Sequence, residues 1–392
     1  MEFDVLVVGA GPTGCLIAQR LCREGFSVAV AEEHREIGEP VRCSGLVTKR
    51  VLAFLADERS VLNRVRGAHI FSPSAHKITI GGKTEKAVVL DRALADRGLA
   101  KAASREGAEM FVDTRAIAAR RTSGGVNVTL AHAKEIKKVT CKILVGADGV
   151  KSSAARWFDL SQPEITVSGF QAEMSGGDFE ENFVSLYVGN DVAPGFFSWV
   201  IPAGDTFRVG LCVREGSAYE YFNRFLTNPL VSEKLKEAEP ISYQAGTIPF
   251  GLSKRTAGDN VVIVGDAACQ VKATSGGGLY TGLVSADECA KVLVDSLESG
   301  DHSHEFLSSY ERMWYERVGR ELKRDLMLHR AFARLSDKQL ERIFDLVDRK
   351  DILDTITRKG DIDYPSKLGW RLVKKEPRLL RFATPALRAL FC

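Results

Sequence analysis

The first thirty residues pass from a short apolar run through an amphipathic stretch to a second apolar run. Residues 3–8 are apolar except for Asp4 and are followed by Gly9, which is typical of a buried parallel strand. In residues 12–23 the apolar side chains recur at helical spacing, and residues 27–31 are again apolar. This order predicts a strand, a helix and a second strand, which together form a βαβ unit of ordinary length.

Further along the chain, three kinds of hydrophobic pattern occur. Buried strands are predicted at 87–90, 138–145 and 261–264. Helices are predicted at 91–106, with Asp91 as the N-cap, and from a glycine run at 276–278 to about residue 297. Alternating polar and apolar residues predict an antiparallel sheet in a separate layer, with strands at 182–188, 196–201 and 207–213. From residue 304 onward the spacing is helical with frequent charges.

Composition and charge narrow the class of protein. The chain has 392 residues, enough for two or three domains, and a net charge of only +3, so we expect no nucleic-acid partner. No basic leader precedes the first strand and no run reaches about 18 apolar residues, so we expect a cytoplasmic protein. The eight cysteines lack paired spacing, so we expect free thiols and no metal site.

The first strand and helix flank a dinucleotide-binding signature. Gly9, Gly11 and Gly14 form GxGxxG at the end of the strand and the start of the helix, where backbone N–H groups can approach a pyrophosphate. Glu32 ends the second strand, 18 residues after Gly14. A carboxylate there accepts hydrogen bonds from a ribose and repels a 2′-phosphate, which favours NAD or FAD over NADP.

Two later loops favour FAD over NAD. Asp148 and Asp266 each follow a strand and a glycine, and Gly276, Gly277 and Gly278 supply backbone N–H groups at a helix N-terminus. An extended FAD needs such acidic loops at its ribityl and pyrophosphate groups, whereas an NAD dehydrogenase has no use for a second one. Each aspartate on its own could equally serve a turn or cap a helix.

These elements predict an α/β fold, α+β overall. A Rossmann-like FAD-binding domain is discontinuous, because about 60 residues separate the first βαβ unit from the Asp91 helix. A second, antiparallel-sheet domain would bind the substrate, and a helical region would follow. The expected limits are 1–62 with 88–159 and 256–300 for the FAD-binding domain, 63–87 with 160–255 for the substrate domain, and 301–392 for the helical C-terminal region.

Four segments resemble one group of flavoenzymes. Residues 36–46 are similar to the pattern EIGxPVRCxGL, and residues 194–202 are similar to PxxYxWxFP. Residues 90–92 end in an arginine at the position where the group has an arginine that touches FAD. Residues 265–278 match the group's acidic loop and glycine run. On these segments the chain resembles the p-hydroxybenzoate hydroxylase group of FAD enzymes over nearly all of residues 1–300. Within it the chain is most similar to the geranylgeranyl reductases, especially the archaeal enzymes that saturate digeranylgeranylglycerophospholipids.

The resemblance implies a function and a set of contacts. The function is a reductase that saturates isoprenoid double bonds of geranylgeranyl lipids by hydride transfer from reduced FAD. The implied FAD contacts are Thr13, Gly14, Cys15, Glu32, Arg42, Cys43, Gly45, Arg92, Ala116, Asp266, Gly278 and Leu279. Cys43 would lie against the isoalloxazine ring, either in a catalytic role or as an inert thiol, and Arg42 beside it could lower the pKa of the thiol.

The substrate segment departs from the family pattern. Phe197 stands where the family has Tyr, Ile201 where it has Phe, and Ala273 where Pro is common. Phe197, Trp199 and Ile201 still alternate onto one face of a strand. That face suits an isoprenoid chain, and it is equally compatible with ordinary sheet core.

Three questions stay open at this point. The electron donor could be NAD(P)H, reduced ferredoxin or a deazaflavin. A monooxygenase or halogenase of the same fold is the alternative function, because residues 197–202 also resemble the halogenase pattern WxWxIP without its first Trp. Residues 365–392 carry seven Lys or Arg and one Glu. With Thr384 and Pro385 starting a second short helix, this tail either lies on the inner face of an anionic membrane or packs on its own domain.

Overall fold

The computed structural model describes residues 1–55 and 58–383. Within this part, eighteen strands form three sheets. The strands are β1 (Glu2–Val8), β2 (Val28–Ala31), β3 (Leu46–Val47), β4 (Val61–Val65), β5 (Gly67–Phe71), β6 (Lys77–Gly81), β7 (Ala87–Leu90), β8 (Glu109–Phe111), β9 (Arg115–Thr122), β10 (Gly125–His132), β11 (Glu135–Gly146), β12 (Ile165–Ser175), β13 (Phe183–Val188), β14 (Phe197–Ala203), β15 (Thr206–Val213), β16 (Glu239–Phe250), β17 (Ala257–Gly258) and β18 (Val261–Ile263).

Helices surround these sheets. The α-helices of the described residues are α1 (Pro12–Arg23), α2 (Arg92–Arg105), α3 (Ser153–Trp157), α4 (Ala218–Leu226), α5 (Pro229–Ser232), α6 (Leu279–Ser299), α7 (His304–Trp314), α8 (Arg320–Phe332), α9 (Asp337–Val347), α10 (Lys350–Lys359) and α11 (Pro365–Lys375). A π-helical turn, Tyr315–Gly319, joins α7 to α8, and a 3₁₀ helix, Pro377–Phe382, follows α11. The α/β fold class expected from the sequence is confirmed.

The first sheet carries the dinucleotide-binding signature. Its path is β17-β18-β11-β1-β2-β8, with β10 and β9 extending from β11. β18, β11, β1, β2 and β8 are parallel, so their carboxyl ends lie along one edge of the sheet. The predicted βαβ unit is confirmed as β1, α1 and β2, because apolar residues on one side of α1, such as Leu16, Ile17 and Leu21, are fully buried against the sheet.

The second sheet is the antiparallel layer. Its path is β16-β12-β15-β14-β13-β5-β6, and β13 with β5 is its one parallel pair among the described residues. β13, β14 and β15 confirm the strands expected from the alternating pattern. One face is covered by α4, which inserts Phe222 and Phe225. The other face packs on β7 and on Val271 and Ala273 of the loop after β18.

A small sheet, β3-β7-β4, lies between the two larger ones. Two of the domain limits expected from the sequence, 62/63 and 87/88, fall inside β4 and β7, which pair with each other. The division into domains stays a prediction. The C-terminal helices pack on both larger sheets: Leu307 of α7 joins the core of the first sheet, and Phe344 of α9 packs with Ile78 of the second.

Every helix in the described part of the chain is too short or too polar to cross a membrane. The described cysteines are all free thiols, as expected: Cys15, Cys22, Cys43, Cys141, Cys212, Cys269 and Cys289.

A histidine fixes α8 against the second sheet. His329 is 1% exposed and its ring packs on Phe196 and Phe250, with centroid distances of 5.9 and 4.9 Å. Its Nε2 atom meets no hydrogen-bond partner among the described residues. Burial, with smaller contributions from Arg214 and Arg330, lowers the pKa of His329 to about 4.

This pKa predicts a loss of stability in mild acid. The unfolded chain takes up the His329 proton near pH 6.5 and the folded chain only near pH 4, so the free energy of unfolding should fall by up to about 3 kcal/mol between these values. Urea unfolding at pH 7, 5.5 and 4 measures it. His329→Leu should lack this part of the pH dependence, whereas replacing the exposed His132 by Leu should leave it intact. Equal pH profiles for wild type and His329→Leu would contradict the assignment.

Candidate active site

The loop after β1 presses against the loop after β11. Gly9 has a φ of +103°, and a Cβ atom there would lie 2.3 Å from the carbonyl oxygen of Ala147. Only glycine permits this contact. A Cβ atom at Gly11 would instead point into open space, with nothing within 4 Å. The backbone of the GxGxxG loop therefore borders a cleft at the N-terminus of α1, where a pyrophosphate could approach.

Glu32 stands at the end of β2 beside this loop. Its carboxylate accepts hydrogen bonds from the Ala10 amide at 2.8 Å and the His34 amide at 3.0 Å, and lies 2.6 Å from His34 Nδ1. Ala116 is near it in the fold, since the Thr114 amide donates to the Glu32 carbonyl at 2.7 Å. These contacts orient the carboxylate, as recognition of a ribose requires.

Cys15 lies beneath the loop. Its Sγ donates to the Ala10 carbonyl at 3.2 Å, and burial raises the pKa of its thiol. The side chain is therefore part of the core, and the expected FAD contact of Cys15 stays a prediction for its backbone.

The loop after β18 completes the cleft. Asp266 is exposed to the cleft, whereas its neighbours Gly265 and Ala267 are buried. A Cβ atom at Gly265 would lie 3.0 Å from the Thr13 side chain, and one at Gly278 would lie 2.9 Å from Asp266 Oδ1. The structure thus brings the loop after β1 together with the loop after β18 and the start of α6, although these segments are about 250 residues apart in sequence. Although its side chain reaches the open cleft, the protein packed around Asp266 desolvates the carboxyl and raises its pKa, and the charge of Arg92 partly opposes this shift.

Asp148 stabilises a turn, which is the role that the sequence analysis gave as the alternative to an FAD contact. Its carboxylate accepts hydrogen bonds from Ser152 Oγ at 2.6 Å and from the amides of Ser153 and Ala154 at 2.6 and 3.1 Å. It therefore closes the turn into α3. An FAD contact of Asp148 remains a prediction.

The cation beside the Cys43 thiol is Arg92 and not its sequence neighbour Arg42. Cys43 Sγ accepts the Gly45 amide at 3.3 Å and contacts the Arg92 guanidinium. Arg42, expected to influence the thiol, is exposed. Arg92 donates two hydrogen bonds to the Asp96 carboxylate, at 3.1 and 3.0 Å. Burial lowers the pKa of Arg92, but the effects of Asp96 and Cys43 are larger, so the net shift of the pKa is upward. Arg92 is thus a permanent cation between Cys43 and Asp266.

Arg208 is a site residue that the sequence analysis missed. It is 4% exposed on β15 and donates from Nη1 to the carbonyls of Ser44 and Leu90, at 2.7 and 3.0 Å, and from Nε to Glu173 at 2.9 Å. A Cβ atom at Gly45 would lie 2.4 Å from Arg208 Nη1. One side chain of the second sheet therefore fixes the Cys43 loop and the start of α2. A lone arginine inside an apolar strand was the available signal, because arginine is rarely buried without partners.

The apolar side chains predicted for the substrate lie on one face of β14, where Phe197 and Trp199 pack in the same cluster as Val271 and Ala273, between Asp266 and the glycine run. Phe197 and Trp199 are half-buried, with ring centroids 6.0 Å apart. Ile201 is 2% exposed and packs with Val89 between the sheets, so its surroundings are those of core. The Trp199 indole N–H donates to Gln171, whose amide donates to Gln244, both at 2.9 Å. This polar pair was also missed.

These residues fit a dinucleotide. The space beside the Gly11 Cα atom is open, Glu32 offers a carboxylate at one end of the cleft, and Asp266 with residues 276–278 borders the other. The two ends suit a nucleotide and a second ring system held in an extended form.

Comparison with known proteins agrees with this interpretation. A family described as an FAD binding domain matches residues 2–322. The chain is therefore an FAD-binding protein of that family, within the p-hydroxybenzoate hydroxylase type. More narrowly, it belongs to the family of the digeranylgeranylglycerophospholipid reductases. The protein of that name from Methanococcus vannielii is 33% identical over 97% of both chains, and that from Methanocaldococcus jannaschii is 32% identical over 97% of both.

Solved structures place the fold in the same group. A geranylgeranyl bacteriochlorophyll reductase-like protein from Thermoplasma acidophilum superimposes with a TM-score of 0.86 and 26% identity, covering 97% of this chain and 98% of that one. A flavin-dependent brominase superimposes with a TM-score of 0.72 at 17% identity, covering 96% and 100%. At that identity the brominase shows a common fold alone.

The Arg208 contacts predict a large loss of stability on replacement. Arg208→Met leaves Glu173 and two buried carbonyl groups without this donor, so the free energy of unfolding should fall by about 3 kcal/mol. Urea unfolding of the purified holoprotein measures this. Arg330→Met, which removes an exposed ion pair with Glu164, is the control and should cost at most about 1 kcal/mol. Equal losses for the two variants would show that Arg208 does not join the sheets.

Proposed function

We propose that this protein is an FAD-dependent reductase that saturates isoprenoid double bonds in geranylgeranyl lipids or their precursors. The observation that carries the proposal is the meeting of two surfaces at one cleft: the Cys43, Arg92 and Asp266 cluster, and the apolar strand face of Phe197 and Trp199. Relatives named digeranylgeranylglycerophospholipid reductase, 32–33% identical over nearly the whole chain, support it.

The apolar strand face would bind the isoprenoid chain. Phe197 and Trp199 present ring surface with few hydrogen-bonding groups, since the indole N–H is already bonded to Gln171. Apolar contact of this kind gives about 25 cal/mol per Å² of surface buried and excludes water. It would also hold the double bond still, which matters because an unactivated alkene is a poor hydride acceptor.

The polar cluster would serve the cofactor and the proton. Reduced FAD, when bound, supplies the hydride to one carbon of the double bond. Asp266 and the amides at the start of α6 would orient the cofactor, and Arg92 would balance negative charge near it. We assign to Cys43 Sγ the proton that reaches the second carbon, so that the lipid gains two hydrogens for each bond reduced.

An anaerobic assay tests the proposal. The purified holoprotein is reduced with dithionite, a lipid with geranylgeranyl chains is added in detergent, and flavin absorbance and lipid mass are followed. We expect the flavin to be reoxidised and the lipid mass to rise by two hydrogens per double bond. A flavin that stays reduced until oxygen enters would overturn the proposal and favour a monooxygenase or halogenase.

The same assay tests Cys43. Cys43→Ala should slow flavin reoxidation by lipid by about 10²-fold, because the positioned proton donor is lost. Cys22→Ala, at a half-buried thiol on α1, is the matched control and should react like wild type. Unchanged reoxidation in Cys43→Ala would remove Cys43 from the mechanism.

We also propose a peripheral contact with anionic membranes through a cationic surface formed by Lys367, Trp370, Arg371, Lys374 and Arg381, all exposed. Leu372 and Leu379 of this segment point inward and pack with Phe344, whereas Trp370 is 38% exposed. The contact would therefore be electrostatic, at about 1 kcal/mol per cation, rather than an insertion of an apolar helix face. The second short helix expected from Thr384 and Pro385, with Leu387, Arg388 and Leu390, lies outside the described residues.

Vesicle sedimentation tests the cationic surface. Wild type should bind vesicles with about 30% phosphatidylserine and not neutral ones, and should be released by about 0.5 M salt because the charges are then screened. Arg371→Glu with Lys374→Glu should lose most of the binding. Lys134→Glu with Lys138→Glu, at exposed positions near the β10–β11 hairpin, is the control with the same change in charge. Equal binding by both double variants would exclude this surface.

A further inference from the structure

A group of charges with a buried ion pair at its centre lies behind the glycine run. The Lys272 cluster consists of Thr48, Arg50, Lys272, Asp361 and Asp363. Lys272 Nζ lies 2.6 Å from Asp363 Oδ1 and donates to the Ile362 carbonyl at 3.2 Å, and the two side chains are 5% and 1% exposed. This is an ion pair almost fully removed from solvent.

Lys272 belongs to the same loop as the glycine run. Its amide donates to the Gly277 carbonyl at 3.2 Å, and its carbonyl accepts the Gly276 amide at 2.8 Å. A Cβ atom at Gly277 would lie 3.3 Å from Lys272 Cε and 3.5 Å from Nζ. The ammonium group therefore lies directly against the backbone that borders the cleft.

Asp363 connects this loop to two other segments. It accepts hydrogen bonds from Thr48 Oγ1 at 2.5 Å and Arg50 Nη1 at 3.0 Å, both a few residues after the Cys43 loop. Arg50 also pairs with Asp361 at 2.8 Å. The cluster holds two cations and two carboxylates, so its charges balance, and removing one of them leaves an uncompensated charge in a poorly screened place.

We propose that Lys272 and Asp363 are positioning residues that set the reduction potential of FAD through the glycine run. This inference rests on the proposed function only in that residues 276–278 hold the flavin. Two-electron reduction of FAD with uptake of one proton adds negative charge to the isoalloxazine ring. A nearby cation therefore favours the reduced form and a nearby carboxylate disfavours it.

The two members of the pair should act in opposite directions. Lys272→Met removes the cation and leaves Asp363, so the ratio of reduced to oxidised FAD at a fixed potential should fall about tenfold. Asp363→Asn leaves Lys272 uncompensated, so the ratio should rise about tenfold. Each tenfold change is about 30 mV for a two-electron couple. The double variant should return to within about threefold of wild type.

Dye-linked anaerobic titration of the purified holoprotein at pH 7 measures these ratios from flavin absorbance, with no lipid present. Lys291→Met, near the middle of α6 and paired at the surface with Asp287 and Glu288, is the control for the loss of a lysine charge and should match wild type. Arg50→Met, whose side chain is 45% exposed, is the variant to use if the buried ones fail to fold. It should lower the ratio in the same direction as Lys272→Met.

Opposite shifts for the two single variants support the inference, because a general disturbance of the loop would move both in one direction. Shifts of equal sign, or ratios within twofold of wild type in every variant, would overturn it. A protein that shows the opposite shifts but does not saturate lipid in the anaerobic assay would overturn the proposed function and leave this inference standing.

Discussion

The whole site depends on the close approach of three strand ends. β1, β11 and β18 are parallel neighbours, so the loops that follow them meet at one edge of the sheet. The contact of Gly9 with the Ala147 carbonyl leaves no room for a side chain. The packing of Thr13 against Gly265 closes the third loop onto the first. Without this convergence, Glu32 and Asp266 would not lie at the two ends of one cleft.

Buried charges attach the rest of the molecule to that edge. Arg208 reaches from the second sheet to the Ser44 and Leu90 carbonyls, and Lys272 reaches from the glycine run to Asp363. Removing such groups from water costs several kcal/mol each, which is recovered only in one geometry. Apolar packing alone would tolerate small sliding of the sheets. Directional bonds of buried charges tolerate much less, and hydride transfer depends on placement to a fraction of an ångström.

The sequence predicted the local parts well and the long-range parts poorly. The bounds of α1, and three of the seven strands of the antiparallel layer (β13, β14 and β15) to within two residues, followed from periodicity because each depends on neighbours in the chain. The other four strands of that layer were not predicted. The partner of Cys43 did not, since Arg42 is adjacent in sequence whereas Arg92 is adjacent in space. Arg208 and Asp363 lie 164 and 91 residues from their partners Ser44 and Lys272, and no local pattern reports such a pairing. The contacts of the site residues with FAD stay predictions.

The C-terminal region contacts the loop of the glycine run directly. The match to the FAD binding domain ends at residue 322, yet Asp325 accepts hydrogen bonds from Thr274 and Asp363 accepts one from Lys272, both in the loop of the glycine run. Burial raises the pKa of Asp325, and the hydrogen bonds from Thr274 oppose that shift. Two segments that follow residue 322 thus hold the same loop from behind. Any movement of α8 or of residues 361–366 would therefore be transmitted to the backbone of the glycine run at the edge of the cleft, because rigid, satisfied polar contacts leave the loop no independent position.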